Sequence, residues 1–113
     1  MGLWSCSDPV TKPFKCKTDK DGAFSAPADS IDAPLPIGTV DLSGKLVSPK
    51  GITVQGTLSF NSAKKNFSGK AGTDVSLGKF KVERKNTIKL DGTTDPPTPN
   101  ASLEFQVSYI HCP

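Results

Sequence analysis

Apolar and polar residues alternate along much of the chain, and this period of two predicts β-strands rather than helices. In the first alternating stretch the apolar residues fall on even positions: Val40, Leu42, Leu46, Ile52, Val54, Leu58 and Phe60. Turn-forming residues occupy positions 48–51 in the middle of this stretch. Residues 39–60 are therefore expected to form a β-hairpin.

A second stretch changes phase part of the way along. Val75 and Leu77 are apolar on odd positions, whereas Phe80 and Val82 are apolar on even ones. Because one extra residue shifts the alternation, we expect a β-bulge at Gly78.

The C-terminal part contains two more predicted strands, separated by a proline-rich segment. Residues 88–90 indicate a short strand that the following Asp-Gly pair would end. Residues 93–99 include three prolines and are expected to form an exposed, extended linker. The alternation is most regular over 103–109, which predicts a strand packed against the core.

Prolines interrupt the pattern before residue 39. Residues 8–38 contain five of them, so this segment is expected to be largely irregular. A short hairpin is predicted within it, with strands at 14–17 and 23–25. Its turn would lie at 19–22, where Gly22 can adopt a positive φ.

The predicted fold class is all-β, a small antiparallel β-sandwich of six to seven strands with a Greek-key or Ig-like arrangement. A length of 113 residues fits one domain. Residues 1–38 would be an N-terminal segment of that domain, tied down by a disulfide, and residues 39–113 would form the sandwich core.

The three cysteines, Cys6, Cys16 and Cys112, lie near the two ends of the chain. One disulfide would join the N-terminal segment to the last strand and contribute about 4 kcal/mol in the chain-entropy model. The pattern leaves open which two cysteines pair. The third thiol would be free, or would pair with another chain in an oligomer.

Catalytic and metal-binding chemistry has little support in the sequence. His111 is the only histidine, Glu83 and Glu104 are the only glutamates, and no nucleophile, phosphate-binding or zinc-protease motif is present. The cysteines lack the Cys-x-x-Cys spacing that positions two zinc ligands. We expect a non-enzyme without catalytic residues, cofactor or metal.

Two N-glycosylation acceptor patterns, at Asn66 and Asn100, favour a secreted protein. No apolar leader precedes the first polar residues, so we expect a mature chain, and no run of residues is long and apolar enough for a transmembrane helix. The alternative is an intracellular chain lipidated at Gly2 and Cys6.

Positive charge is concentrated between residues 64 and 89. Eight basic residues and two acidic ones give this segment a charge of +6, which leaves −3 for the rest of the chain. The candidate polyanion-binding residues are Lys64, Lys65, Lys79, Lys81, Lys85 and Lys89. If 79–90 were extended, four of these lysines would form one basic stripe on the face opposite the apolar residues.

The stripe has two interpretations. It would bind an acidic polysaccharide or anionic lipid headgroups, or it would be a solvated face whose lysines discourage edge pairing between molecules. Nucleic acid is disfavoured as a partner because the segment is lysine-rich and has no exposed aromatic residues between the lysines on which bases would stack.

The prolines Pro34 and Pro36 and Gly38, followed by two alternating strands, give residues 31–60 a resemblance to the first half of the ML (MD-2-related lipid-recognition) sandwiches. The resemblance implies a lipid held in a cavity between two sheets. The chain departs from the ML pattern because it lacks the central cysteine pair.

The sequence therefore predicts a secreted, non-catalytic binding or structural module that acts through protein–protein or cell-surface contacts. Its expected partner is an extracellular protein or an acidic glycan. Polyanion binding through the lysines of 64–89 and lipid transport in an inter-sheet cavity are the alternatives.

Overall fold

The computed structural model describes residues 6–31 and 37–113, and within these ranges it contains eight strands and no helix. The strands are β1 Val10–Lys17, β2 Ala23–Ser30, β3 Thr39–Ser48, β4 Thr53–Phe60, β5 Ala63–Lys70, β6 Asp74–Lys81, β7 Thr87–Asp95 and β8 Ser102–Cys112. They form two antiparallel four-stranded sheets, in the orders β1-β8-β3-β6 and β2-β7-β4-β5. The predicted antiparallel sandwich is confirmed, with eight strands instead of six or seven.

Of the seven connections between these eight described strands, six cross from one sheet to the other, and only β4 and β5 form a hairpin. The two strand orders are those of a jelly roll, in which two Greek keys are combined. The two described sheets have four edge strands, β1 and β6 in one and β2 and β5 in the other.

The core lies between the inner faces of the two sheets and contains the apolar residues of the alternating pattern. Every even apolar position predicted for β3 and β4 is buried, from Val40 to Phe60. Aromatic side chains join the layers: the ring centroids of Phe24 and Phe105 are 5.3 Å apart, as are those of Phe60 and Phe80. Period-two alternation thus identified the buried face correctly.

The predicted hairpin over 39–60 is wrong. A turn does lie between β3 and β4, but β3 pairs with β8 and β6, whereas β4 pairs with β5 and β7 in the other sheet. Alternation fixes which side chains face the core and does not fix which strands pair. The connection at 49–52 therefore crosses between the sheets.

The segment 8–38 is more regular than predicted, because it contains β1 and β2. Both strands lie at sheet edges, where a residue without an amide hydrogen is tolerated. Pro13 lies in β1, and Pro27 lies where the register of β2 against β7 shifts, between Ala26 and Asp29. The predicted hairpin at 14–25 is also wrong, since β1 and β2 belong to different sheets.

Two further differences concern the second half of the chain. β7 continues through the Asp-Gly pair to Asp95, so 93–95 are strand and Thr94 is buried. β5 was not predicted, because its residues Ala63–Lys70 are mostly polar and exposed. The bulge predicted at Gly78 is confirmed: Leu42 pairs with Gly78 and Ser43 with Ser76, which leaves Leu77 as the extra residue.

The disulfide joins Cys6 to Cys112 across a sequence separation of 106 residues. Next to it, the Ser7 amide donates to the His111 carbonyl at 2.7 Å, and the His111 amide donates to the Ser7 hydroxyl at 2.9 Å. The predicted disulfide between the N-terminal segment and the last strand is confirmed. Gly2, Pro34 and Pro36 lie outside the described residues.

Candidate functional site

The sandwich has two ends with different chemistry. The loop end consists of the connections at 18–22, 49–52, 71–73 and 96–101. The basic end consists of the turn at 61–62, the connection at 82–86 and the Cys6–Cys112 disulfide.

At the loop end, Thr18 ties the β1–β2 connection to the β7–β8 connection. Its hydroxyl donates to the Thr98 carbonyl at 2.6 Å and accepts from the Ala101 amide at 2.7 Å. Its own amide donates to the Ala101 carbonyl at 2.9 Å. Because Thr18 is buried, water does not compete freely for these bonds, and the two loops are held in one relative position.

Thr94, in β7, forms a second set of hydrogen bonds that connects the same two loops. Its hydroxyl accepts from the Thr98 amide at 2.9 Å, and both its amide and its hydroxyl donate to the Gly22 carbonyl. Gly22 has a φ of +80°, and a Cβ there would lie 2.9 Å from the Thr98 nitrogen. Only glycine fits this point of contact without displacing backbone.

The turn of the β1–β2 connection is also fixed by its own carboxylate. Asp19 accepts from the amides of Asp21 at 2.8 Å and Ala23 at 3.0 Å. The amides of Ala23 and Asp21, in that order of effect, lower the pKa of the Asp19 carboxyl below its ordinary value. Within the loop end, the connections at 18–22 and 96–101 are thus held together, and their exposed residues include Lys20, Asp21, Pro97, Pro99 and Asn100.

At the basic end, Asn86 locks the β6–β7 connection. Its buried side chain accepts from the Glu83 amide at 2.8 Å and donates to the Glu83 carbonyl at 2.9 Å. Asn61, in the β4–β5 turn with a φ of 55°, donates to Asn86 at 3.1 Å and accepts from the Thr87 amide at 2.9 Å. Arg84 and Lys85 are exposed on the loop that this network holds.

The candidate lysines do not share one face, so the predicted single stripe is wrong. Lys79 and Lys81 lie on the outer face of the β1-β8-β3-β6 sheet, while Lys64 and Lys89 lie on the outer face of the other sheet. The cause is that β6 and β7 belong to different sheets, with Lys85 in the connection between them.

These lysines nevertheless share one half of the molecule. Register places Lys64, Lys81 and Lys89 within two or three residues of the turn at 61–62 or the connection at 82–86. Arg84 joins them there and was missing from the sequence-based candidates. Lys89 is paired with Asp91 at 3.7 Å, so its charge is partly compensated.

Lys65 lies between the two sheets at their β5–β6 side. Its side chain crosses from β5 to β6, because a Cβ at Gly78 would lie 2.7 Å from the Lys65 Nζ. The bulged glycine therefore makes room for a lysine that covers this side of the sandwich.

Both glycosylation candidates are exposed, at different places. Asn66 lies in β5 on the outer face of its sheet, where its side-chain oxygen accepts from the Thr57 hydroxyl at 3.2 Å. Asn100 lies at the loop end with a φ of 54°. A glycan on Asn100 would stand beside the locked loops, whereas one on Asn66 would cover a sheet face.

Cys16, the remaining cysteine, is free and half-buried in β1. Burial raises the pKa of its thiol above the ordinary value. The thiolate that would attack another chain's cysteine is therefore less populated than in an exposed cysteine.

The structure offers little room for an apolar ligand between the sheets. The cavity there has a volume of about 20 Å³ and is lined mainly by apolar side chains such as Leu46, Phe67 and Phe105. That volume is close to the space needed for one water molecule. A lipid would require the sheets to move apart.

Among residues 6–31 and 37–113, no three side chains of His, Cys, Asp or Glu are grouped as a metal site would need. His111 is buried in β8, and its Nε2 is 2.7 Å from the Ile37 carbonyl oxygen. No described segment is a helix with the length and apolar character needed to cross a membrane.

In comparisons with known proteins, no family model matches this chain and no curated protein shows significant similarity to it.

Proposed function

We propose that the chain is a secreted, non-catalytic binding module that contacts a protein partner or a cell surface through its loop end. The observation that supports this most is that the hydrogen bonds of Thr18 and Thr94 hold the loops at 18–22 and 96–101 together. Contact loops carried on a rigid β-scaffold are a common way for such domains to bind.

Immobilising loops on binding costs conformational entropy, and loops already locked in the free protein avoid much of that cost. The buried threonines lock the backbone, while Lys20, Asp21 and Pro99 remain exposed at the tips. Exposed side chains on a fixed backbone are suited to recognition rather than to closing over a substrate.

The test is equilibrium binding of the fluorescently labelled, disulfide-bonded protein to intact cells of the producing organism. We expect saturable binding that an excess of unlabelled protein displaces. The loop variant, with Lys20→Ser, Asp21→Ser and Pro99→Ser combined, should compete poorly. Binding that does not saturate would contradict the proposal, and so would a loop variant that competes as well as the wild type.

Polyanion binding at the basic end is the second candidate. It is supported by the exposed residues Lys81, Arg84 and Lys85 around a loop that Asn86 holds rigid. Retention on heparin should fall steeply with salt, because each phosphate- or sulfate-like contact releases counterions. Substituting these three residues with serine should abolish retention, while the loop variant should elute like the wild type.

A lipid carrier remains the third hypothesis, and the inter-sheet cavity of about 20 Å³ does not favour it. It requires lipid to co-purify with the protein. Mass spectrometry of organic extracts would detect such a lipid, and extracts without one would count against a carrier role.

A further inference from the structure

The four edge strands differ in how they resist pairing with another strand. β1 contains Pro13, and β2 contains Pro27 beside a register shift. β6 carries the bulge at Gly78, where φ is +106°. Proline and bulges are devices that prevent edge pairing, and β5 has neither of them.

β5 is instead a regular strand of eight residues, Ala63–Lys70, paired with β4 in an unbroken register. The two-residue turn closes on Phe60 and Ala63, a pair that exchanges both backbone hydrogen bonds in such hairpins. Alternation then directs the amides and carbonyls of Lys64, Asn66 and Ser68 away from β4, together with the amide of Lys70, whose carbonyl already accepts from the Thr73 amide at 3.0 Å. These groups form an open backbone edge.

The charges of β5 decide which strand this edge accepts. Lys64 and Lys70 are exposed on the outer face of the sheet, and β5 contains no acidic residue. Two copies of β5 paired with each other would bring lysines together, which is unfavourable when like charges lie opposite. An extended strand with glutamate or aspartate opposite these lysines would gain both the backbone bonds and the charge pairing.

We propose that β5 is a docking edge for an extended acidic peptide segment of a partner protein, which adds as a fifth, antiparallel strand to the β2-β7-β4-β5 sheet. This mode of recognition takes affinity from main-chain hydrogen bonds and specificity from side chains at alternate positions. The lysines exclude copies of the same chain and select an acidic partner. The inference rests on the proposed function of a binding module and adds a second contact surface to it.

The test uses a blocked synthetic peptide of about eight alternating glutamate and valine residues, the length of a typical strand. Its binding is measured by calorimetry, and the site is located by amide hydrogen exchange. We expect the amides of Lys64, Asn66, Ser68 and Lys70 to exchange more slowly in the complex. A lysine–valine peptide should not bind.

Two controls separate strand addition from simple charge attraction. The same acidic peptide with alternate backbone nitrogens methylated keeps its charge but cannot form the ladder, and it should bind at least about tenfold more weakly. Lys64→Glu with Lys70→Glu should also weaken binding at least about tenfold, whereas Lys17→Glu with Lys50→Glu, an equal change of charge outside β5, should not.

Undiminished binding of the methylated peptide would overturn the inference and would assign these lysines to a polyanion site. The inference would also be overturned by protection that appears outside β5, or by the absence of any binding of the acidic peptide. None of these results bears on the loop end, since cell binding that the loop variant fails to compete would still support the proposed function.

Discussion

Gly56 in β4 lies directly opposite Gly92 in β7, and neither position has room for a side chain. A Cβ on Gly92 would lie 2.8 Å from the Gly56 Cα and 2.9 Å from the tip of the Phe24 ring. Phe24 pairs with Gly92 from one side and Phe67 pairs with Gly56 from the other. The paired glycines thus leave space on the inner face, and the tip of the Phe24 ring extends into it.

This pair gives the first prediction. Gly92→Ala should lower the free energy of unfolding by about 1–3 kcal/mol, because an added methyl would force backbone or the Phe24 ring to move. Urea unfolding followed by fluorescence measures it. Gly69→Ala is the matched control, since only a methyl of Val75 at the sheet edge lies within 3 Å of the new Cβ. Equal losses in the two variants would contradict this account.

The Cys6–Cys112 disulfide should contribute strongly to the free energy of unfolding. It closes a sequence separation of 106 residues, so its removal by Cys6→Ser with Cys112→Ser should cost about 4.7 kcal/mol in the chain-entropy model. Cys16→Ser is the control and should cost much less, because Cys16 forms no bridge. Thermal unfolding at one pH compares the three proteins. A double variant as stable as the wild type would contradict the predicted contribution of this disulfide.

The lowered pKa of the Asp19 carboxyl predicts how the stability of the folded protein depends on pH. The amides of Ala23 and Asp21 lower the pKa of this carboxyl, so folding favours its charged form. That contribution is fully present above the unfolded value of about 3.9 and is lost as the pH falls through the lowered folded value. Asp19→Asn should therefore melt below the wild type at pH 7, with a gap that narrows as the pH falls below about 4. A gap independent of pH would be the contrary result.

Cys16 should react slowly with alkylating reagents in the folded protein. Its pKa is raised by burial, so at pH 8 its thiolate is scarcer than in an exposed cysteine, and its side chain is also only partly exposed. Iodoacetamide labelling followed by mass spectrometry should be slow at pH 8, faster at higher pH, and fast in urea. Equal rates in the folded and unfolded chain would show an accessible thiol that is able to link two molecules.

The strands and core that followed from the sequence are those in which one face is apolar and the other polar. Val40 to Phe60 and residues 103–109 fulfil this, and they are the strands predicted most accurately. β5 was missed because it is an edge strand in which only Phe67 and Gly69 are partly buried. Prolines suggested irregular structure, yet edge strands tolerate them, as Pro13 in β1 shows.

Pairing and the candidate sites depended on contacts between distant parts of the chain. Alternation in β3 and β4 cannot distinguish a hairpin from a crossing between sheets. Thr18 meets Thr98 across 80 residues, and nothing in the local sequence of either residue indicates that contact. Charge clustering did identify the basic segment, but the positions of Lys79 and Lys89 on opposite faces follow from topology alone.

The claim that the loop end is the contact surface is tested most directly by the ratio of dissociation constants for cell binding between the loop variant and the wild type. We predict that the variant binds at least about tenfold more weakly, as expected when a centrally placed contact is removed. The variant with Lys81, Arg84 and Lys85 replaced by serine should bind with unchanged affinity. Equal affinities for the loop variant and the wild type would contradict the account and move the contact surface elsewhere.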